Sequence, residues 1–360
     1  MNKTSLYNKH VTQNAKIVPF AGYYMPVSYG KIGDEYNAVR HSCGVFDVSH
    51  MGQIQITGDD AEEFLQYLTI NNVEKITDYE AQYSAMCDEE GNLIDDLIVF
   101  KFSKTDYMII VNASNKIKVL NWIKLYINNY SVVLDDLNIN YSLIALQGPK
   151  SRTILNKISN KELDISFYHL QKLKLLNYNI ILSRTGYTGE LGYEILGSHD
   201  AIKELWDYFM NNDVKPTGLA VRDILRMEMK YCLYGNDINE KTNPLDAGLS
   251  WITDFNKENF LGKEQLLNIK TIGCKRKLFG FKMLDKAIPR KGYIIYIDNI
   301  SVGEVTSGTH SPRLSHGIGL GYIKSNYNKI GQIIQIEIRG KLINAEIVET
   351  PFVSNTSLHN

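Results

Sequence analysis

Apolar residues along this chain recur in two rhythms, and the balance between them changes near residue 275. Before that point, short β-branched runs alternate with segments of helical spacing. Residues 53–57 alternate polar and apolar positions, as a half-buried strand does. Gly58-Asp59-Asp60 follows as a cap, and Phe64, Leu65 and Leu68 then recur at helical spacing. Residues 81–87 read as a strand, and residues 92–100 as another entered through a Gly-Asn turn. Residues 107–112 are its expected hairpin partner across Ser-Lys-Thr-Asp. The helix expected next carries Ile117, Leu120, Ile123 and Ile127 near its buried face and exposes Lys124. Strands and two helices thus make an α+β module of residues 52–136.

Elsewhere the first 267 residues mix both rhythms. Residues 33–41 read as a short helix between the apolar segments 20–27 and 45–51. Residues 143–150 read as a strand running into a helix with Pro149 near its first turn. His199-Asp200 is the expected cap of a helix carrying Ile202, Leu205, Trp206 and Phe209, and residues 220–231 form a second helix. After a linker at residues 268–274, six short strands follow with turns such as Asp298-Asn299 and Arg339-Gly340-Lys341. That pattern predicts an all-β domain at 275–360, a small barrel or jelly roll.

At 360 residues, with 44% hydrophobic and 22% charged, the chain is an ordinary globular sequence of two or three domains. Lys+Arg number 39 against 40 Asp+Glu, a balance that gives no reason to expect nucleic acid or an anionic membrane as partner. Residues 1–10 lack the apolar core expected of a signal peptide, and no run of about 18 apolar residues offers a membrane span. The four cysteines (Cys43, Cys87, Cys232, Cys274) form no CxxC pair and the histidines no HxH, so a metal is not expected and a reducing cytoplasm fits.

Two stretches carry candidate chemistry. In Ile94-Asp95-Asp96-Leu97-Ile98 two carboxylates sit inside a strand, where successive side chains face opposite ways. Either one enters whatever the sheet encloses while the other faces away, or the run is an edge strand with both carboxylates solvated. In Arg184-Thr185-Gly186-Tyr187-Thr188-Gly189-Glu190-Leu191-Gly192 the glycines fit neither a dinucleotide fingerprint nor a P-loop. They suit a tight hairpin, either plain or approached closely by a ligand. His50 is open to a structural or a catalytic reading, and Arg222 to a surface ion pair or to recognition of a planar acceptor.

Taken together, and in order, several motifs resemble those of the glycine cleavage system T-protein family, the tetrahydrofolate-dependent aminomethyltransferases. They are Phe20-Ala21-Gly22, residues 45–52, residues 92–99, Leu146-Gln147-Gly148-Pro149, residues 184–194, Leu233-Tyr234-Gly235-Asn236-Asp237, residues 244–251 and Thr306-Ser307-Gly308. The resemblance implies an α+β fold, a three-domain clover-leaf of antiparallel sheets and helices around a central folate pocket. Its domains would be a discontinuous first domain of residues 1–51 and 137–267, a second of 52–136, and the all-β C-terminal domain. It implies tetrahydrofolate as co-substrate, no metal, and the lipoylated H-protein as partner. Asp96 matches the family's essential aspartate, which makes Asp95 its expected outward neighbour. Glu194 and Arg222 match its pterin ligands, and Met51, Tyr83, Tyr187 and Trp251 resemble the apolar and aromatic lining. Asn112 is an expected polar contact, and Arg290 an expected positive charge from the third domain.

The tail departs from some relatives, which carry tyrosine after a motif like Pro351-Phe352-Val353, and Phe100 stands where relatives can have Tyr. Two rivals share the fold: a folate-dependent demethylase, and a folate-binding accessory protein for iron–sulfur assembly. The accessory proteins' signature has cysteine where this chain has Asn259.

Overall fold

The computed structural model describes residues 1–359, which group into two compact units. The first comprises residues 1–84, 96–222 and 356–359, and the second residues 85–95 and 223–355.

In the first unit a six-stranded sheet runs in the order Leu170–Leu175, Tyr178–Ser183, Gly192–Ser198, Tyr141–Gln147, Gly44–Asp47, Lys215–Pro216. All its pairings are antiparallel except the short last one. Its apolar face, with Val45, Ile144, Leu146, Leu182 and Ile195, packs with Leu155, Leu205, Trp206 and Phe209 from helices Ser151–Ser159 and His199–Met210. The second of these helices is capped by Ser198, whose side chain accepts from Ala201 N, and not by His199-Asp200 as expected. A seryl oxygen one residue earlier reaches the orphan amide, while Asp200 contributes its charge to the first turn.

A five-stranded sheet has the order Glu80–Cys87, Leu93–Ser103, Asp106–Val111, Gly52–Thr57, Val133–Asp136. The hairpin end at residues 85–95 is counted with the second unit. Asp60 stands at the N-cap of helix Ala61–Leu68, but its carboxylate accepts from Ser131 N and not from the helix. Helix Lys116–Tyr126 buries Val119 and Ile123, whereas Ile117 is 75% exposed. The buried face is thus rotated from the expected one. Lys116 opens the helix, paired with Asp136 at 2.6 Å, and this seats the first turn so that Ile117 points outward.

In the second unit, strands Arg276–Met283, His316–Lys324, Ile300–Ser311, Ile294–Ile297, Ile333–Ile338 and Lys341–Val348 close into a barrel in that order. Phe281, Ile295, Val305, Ile334, Ile336 and Ile347 fill it. Beside the barrel, Arg226 donates to Asp237 Oδ2 at 2.5 Å and to Ser307 Oγ at 2.8 Å, so its buried charge is paired and hydrogen-bonded. The expected linker is mostly helix: Lys263–Ile272 is helical around buried Leu266 and stops at Gly273, whose φ of +94° ends the turn. Among the described residues no helix is long and apolar enough to cross a membrane.

Candidate active site

Strand register assembles the first half of the site. Val111 pairs with Gly52 on one side and Leu97 on the other, so one step further on Asn112 lies between Met51 and Asp96. Residues opposite one another on neighbouring strands share a face. Asn112 Nδ2 donates to Asp96 Oδ1 at 2.7 Å and to the Asp96 carbonyl at 3.1 Å. From the adjacent strand the Tyr83 hydroxyl donates to Asp96 Oδ2 at 2.9 Å. Each carboxylate oxygen thus has its own donor, which fixes the group in position and in rotation. Tyr83, expected as apolar lining, acts here through its hydroxyl.

Asp95 does not face solvent. It is fully buried, while Asp96 keeps partial access. Alternation correctly sends the two side chains to opposite faces, but the far face is itself packed, in the company of buried Leu93 and Leu97.

The second half comes from the hairpin of Tyr178–Ser183 and Gly192–Ser198, where Glu194 pairs with Ser183 and with Ala145. Thr185 Oγ1 donates to Glu194 Oε2. The Arg222 guanidinium lies over the Tyr187 ring, 4.6 Å from its centroid. Burial draws the Arg222 pKa down, and the opposite charge of Glu194 pulls it back up. The plain ion-pair reading of Arg222 is therefore too simple, since the cation is stacked on an aromatic face. The hairpin glycines do permit a close approach, but the approaching group is Gln147. A Cβ at Gly186 would lie 2.5 Å from Gln147 Oε1, and one at Gly192 would overlap the same amide. Thr188 Oγ1 donates to that Oε1 at 2.8 Å, so Gln147 pins the loop from below.

Residues 47–51 lead from the six-stranded sheet to Met51. Asp47 is buried, and burial pushes its carboxyl up. Hydrogen bonds from His10, Thr4 and Ser49, with the His10 charge, outweigh that and hold it at about 2. His50, also buried, is drawn down to about 4 by burial, with Asp47 raising it and Arg222 lowering it. Its Nδ1 has no hydrogen-bond partner. The histidine directly precedes Met51 in sequence and feels the charge of Arg222 in space, which its place in the sequence did not decide.

Met51, Tyr83, Asp96 and Asn112 therefore form one group, and Tyr187, Glu194 and Arg222 another, all within the first unit. Trp251 and Arg290 belong to the second unit, where Trp251 is 71% exposed and Arg290 Nη1 donates to Gly308 O at 3.3 Å. Thr185, bonded to Glu194, and Gln147, packed against the hairpin glycines, are neighbours of the candidate residues that the sequence did not single out. The glycines facing Gln147 were the available signal for it. No group of three His, Cys, Asp or Glu among the described residues is placed to hold a metal ion. The first group offers a carboxylate fixed by two donors, and the second a carboxylate and a guanidinium stacked on an aromatic ring.

Residues 6–257 match the GCVT N-terminal domain, and residues 276–354 the glycine cleavage T-protein C-terminal barrel domain. An aminomethyltransferase of Halothermothrix orenii is 44% identical over 358 residues, covering 98% of this chain and 100% of the relative. One of Thermosipho melanesiensis is 44% identical over 354 residues, covering 98% of this chain and 97% of the relative. The crystal structure of glycine cleavage system aminomethyltransferase T from Bartonella henselae superposes with a TM-score of 0.93 at 29% identity, covering 98% of both chains. Sequence over its whole length and fold together place this chain in the glycine cleavage T-protein family, the aminomethyltransferases.

Proposed function

We propose that this enzyme, in the cytoplasm, moves the carbon of an aminomethyl group from the lipoyl arm of H-protein to tetrahydrofolate. The products are 5,10-methylenetetrahydrofolate, ammonia and dihydrolipoyl H-protein. Two bonds form from the carbon to the folate nitrogens N5 and N10, and its bonds to sulfur and to the amino nitrogen break. The two protons that leave N5 and N10 end on the thiol and the ammonia.

The observation that carries this reading is the Asp96 carboxylate, held between the Tyr83 hydroxyl at 2.9 Å and the Asn112 amide at 2.7 Å. A carbon leaving sulfur or nitrogen takes on cationic character. A carboxylate already fixed in place stabilises that charge without reorganising as it develops. The same oxygens are acceptors for a folate amine proton. Glu194 accepts from the amino and imino groups of the pterin edge, and Arg222, stacked on Tyr187, donates to its acceptors. Met51 supplies apolar wall beside Asn112.

The test is a turnover assay of the purified chain with tetrahydrofolate and aminomethyl-loaded H-protein, following ammonia and methylenetetrahydrofolate. A parallel reaction supplies a small methylated amine or thioether as donor. Turnover with loaded H-protein supports the proposal. Turnover with the methylated donor alone would make the protein a demethylase on this fold.

A further inference from the structure

Tyr187, the ring beneath Arg222, stands in the middle of the loop between strands Tyr178–Ser183 and Gly192–Ser198. Both ends of that loop are held by the last described residues of the chain, which belong to the same unit. At its start, Arg184 Nη2 donates to Leu358 O at 2.8 Å, and Nη1 to Ile165 O at 3.2 Å. At its end, Glu190 Oε2 accepts from Ser357 N at 2.8 Å and from Ser357 Oγ at 2.5 Å. The same seryl oxygen accepts from Leu191 N at 3.0 Å. A hydroxyl has one proton and two lone pairs, so donating to Glu190 and accepting from Leu191 are compatible.

The other oxygen of Glu190 is taken by Arg40 Nη1 at 2.6 Å, which also donates to Thr188 O at 3.1 Å. His359 adds an edge-on ring contact to Phe167, with centroids 5.0 Å apart. Glu190, Arg40 and Ser357 are all buried. These bonds are therefore made out of water, where a lost partner is costly. Loops are ordinarily the mobile parts of a fold. This one is bracketed on both sides of Tyr187.

We infer that residues 357–359 are a strap that holds the Tyr187 loop in its ring-stacking position, and that Ser357 is a positioning residue for folate binding. The inference rests on the tetrahydrofolate reading of the site. Ser357 touches the loop and not Asp96, so its effect falls on binding and leaves the chemical step alone.

The test compares the native chain with Ser357→Ala and Ser357→Thr. Tetrahydrofolate Kd is read by fluorescence quenching, KM and kcat by turnover, and amide exchange over residues 185–191 with and without tetrahydrofolate. In Ser357→Ala we expect Kd and KM for tetrahydrofolate to rise about tenfold with kcat within about twofold. Loop amides should exchange faster, and Ser357→Thr, which keeps the hydroxyl, should restore both. Unchanged Kd with unchanged exchange overturns the strap, as does a fall in kcat at unchanged Kd. If the native chain does not bind tetrahydrofolate, the functional reading fails. The exchange of residues 185–191 in ligand-free Ser357→Ala still decides whether the strap exists.

Discussion

His50 should make the stability of this protein fall between pH 8 and pH 5, by an amount the structure allows to be worked out. The residue is 3% exposed, with the Phe20 and Tyr23 rings edge-on at 5.6 and 6.4 Å. Burial holds its imidazole near pKa 4 against 6.5 for the free group. Because the folded value is the lower one, the unfolded chain takes up the proton first. The contribution is complete above about pH 6.5 and is lost as the pH falls towards 4. Integrating the linkage relation between these two values gives a loss of about 2 kcal/mol at pH 5 relative to pH 8. Asp47 is silent in that window, since its carboxyl, lowered from 3.8 to about 2, gives up its contribution only below about pH 4. The perturbation is His50→Gln, which keeps a polar side chain and removes the titration. Urea unfolding at both pH values should show the native chain losing about 2 kcal/mol more than the variant. Equal losses would mean that His50 accepts a proton in the folded state near its ordinary pKa, and the burial argument would be wrong.

Further expectations concern the same unit. Tyr83→Phe and Asn112→Ala each remove one donor from Asp96 and should lower kcat about tenfold, with no further loss in an Asp96→Asn background. Gly192→Ala drives a methyl into the Gln147 amide and should cost about 2 kcal/mol in urea unfolding. Paired with Gln147→Ala it should cost less than the sum of the single changes. Ile117→Lys should leave stability within about 0.5 kcal/mol, whereas Ile123→Ala further along the same helix should cost about 3 kcal/mol.

What could be read from sequence was whatever local period decides. The strands around Asp96 follow period-two alternation and lie within a few residues of the expected bounds, and the C-terminal domain has the six strands expected of it. Asp96 stood out because a carboxylate inside an apolar strand needs partners. Which partners it has could not be read, because Tyr83 and Asn112 reach it through pairing registers set by the whole sheet. The same limit explains the misses. Asp95 alternates away from Asp96 as expected, but only packing decides that the far face is closed. Residues 263–272 lack a strong apolar stripe, and one buried leucine, Leu266, anchors that helix. Gly186 and Gly192 signalled a close approach without naming Gln147 as the neighbour.

The most direct test of the account is the single-turnover rate of ammonia release from aminomethyl H-protein at saturating tetrahydrofolate, native chain against Asp96→Asn, with tetrahydrofolate Kd measured on both. If Asp96 stabilises the developing cation, the rate should fall about a hundredfold or more with Kd nearly unchanged. A variant that turns over at the native rate would contradict it.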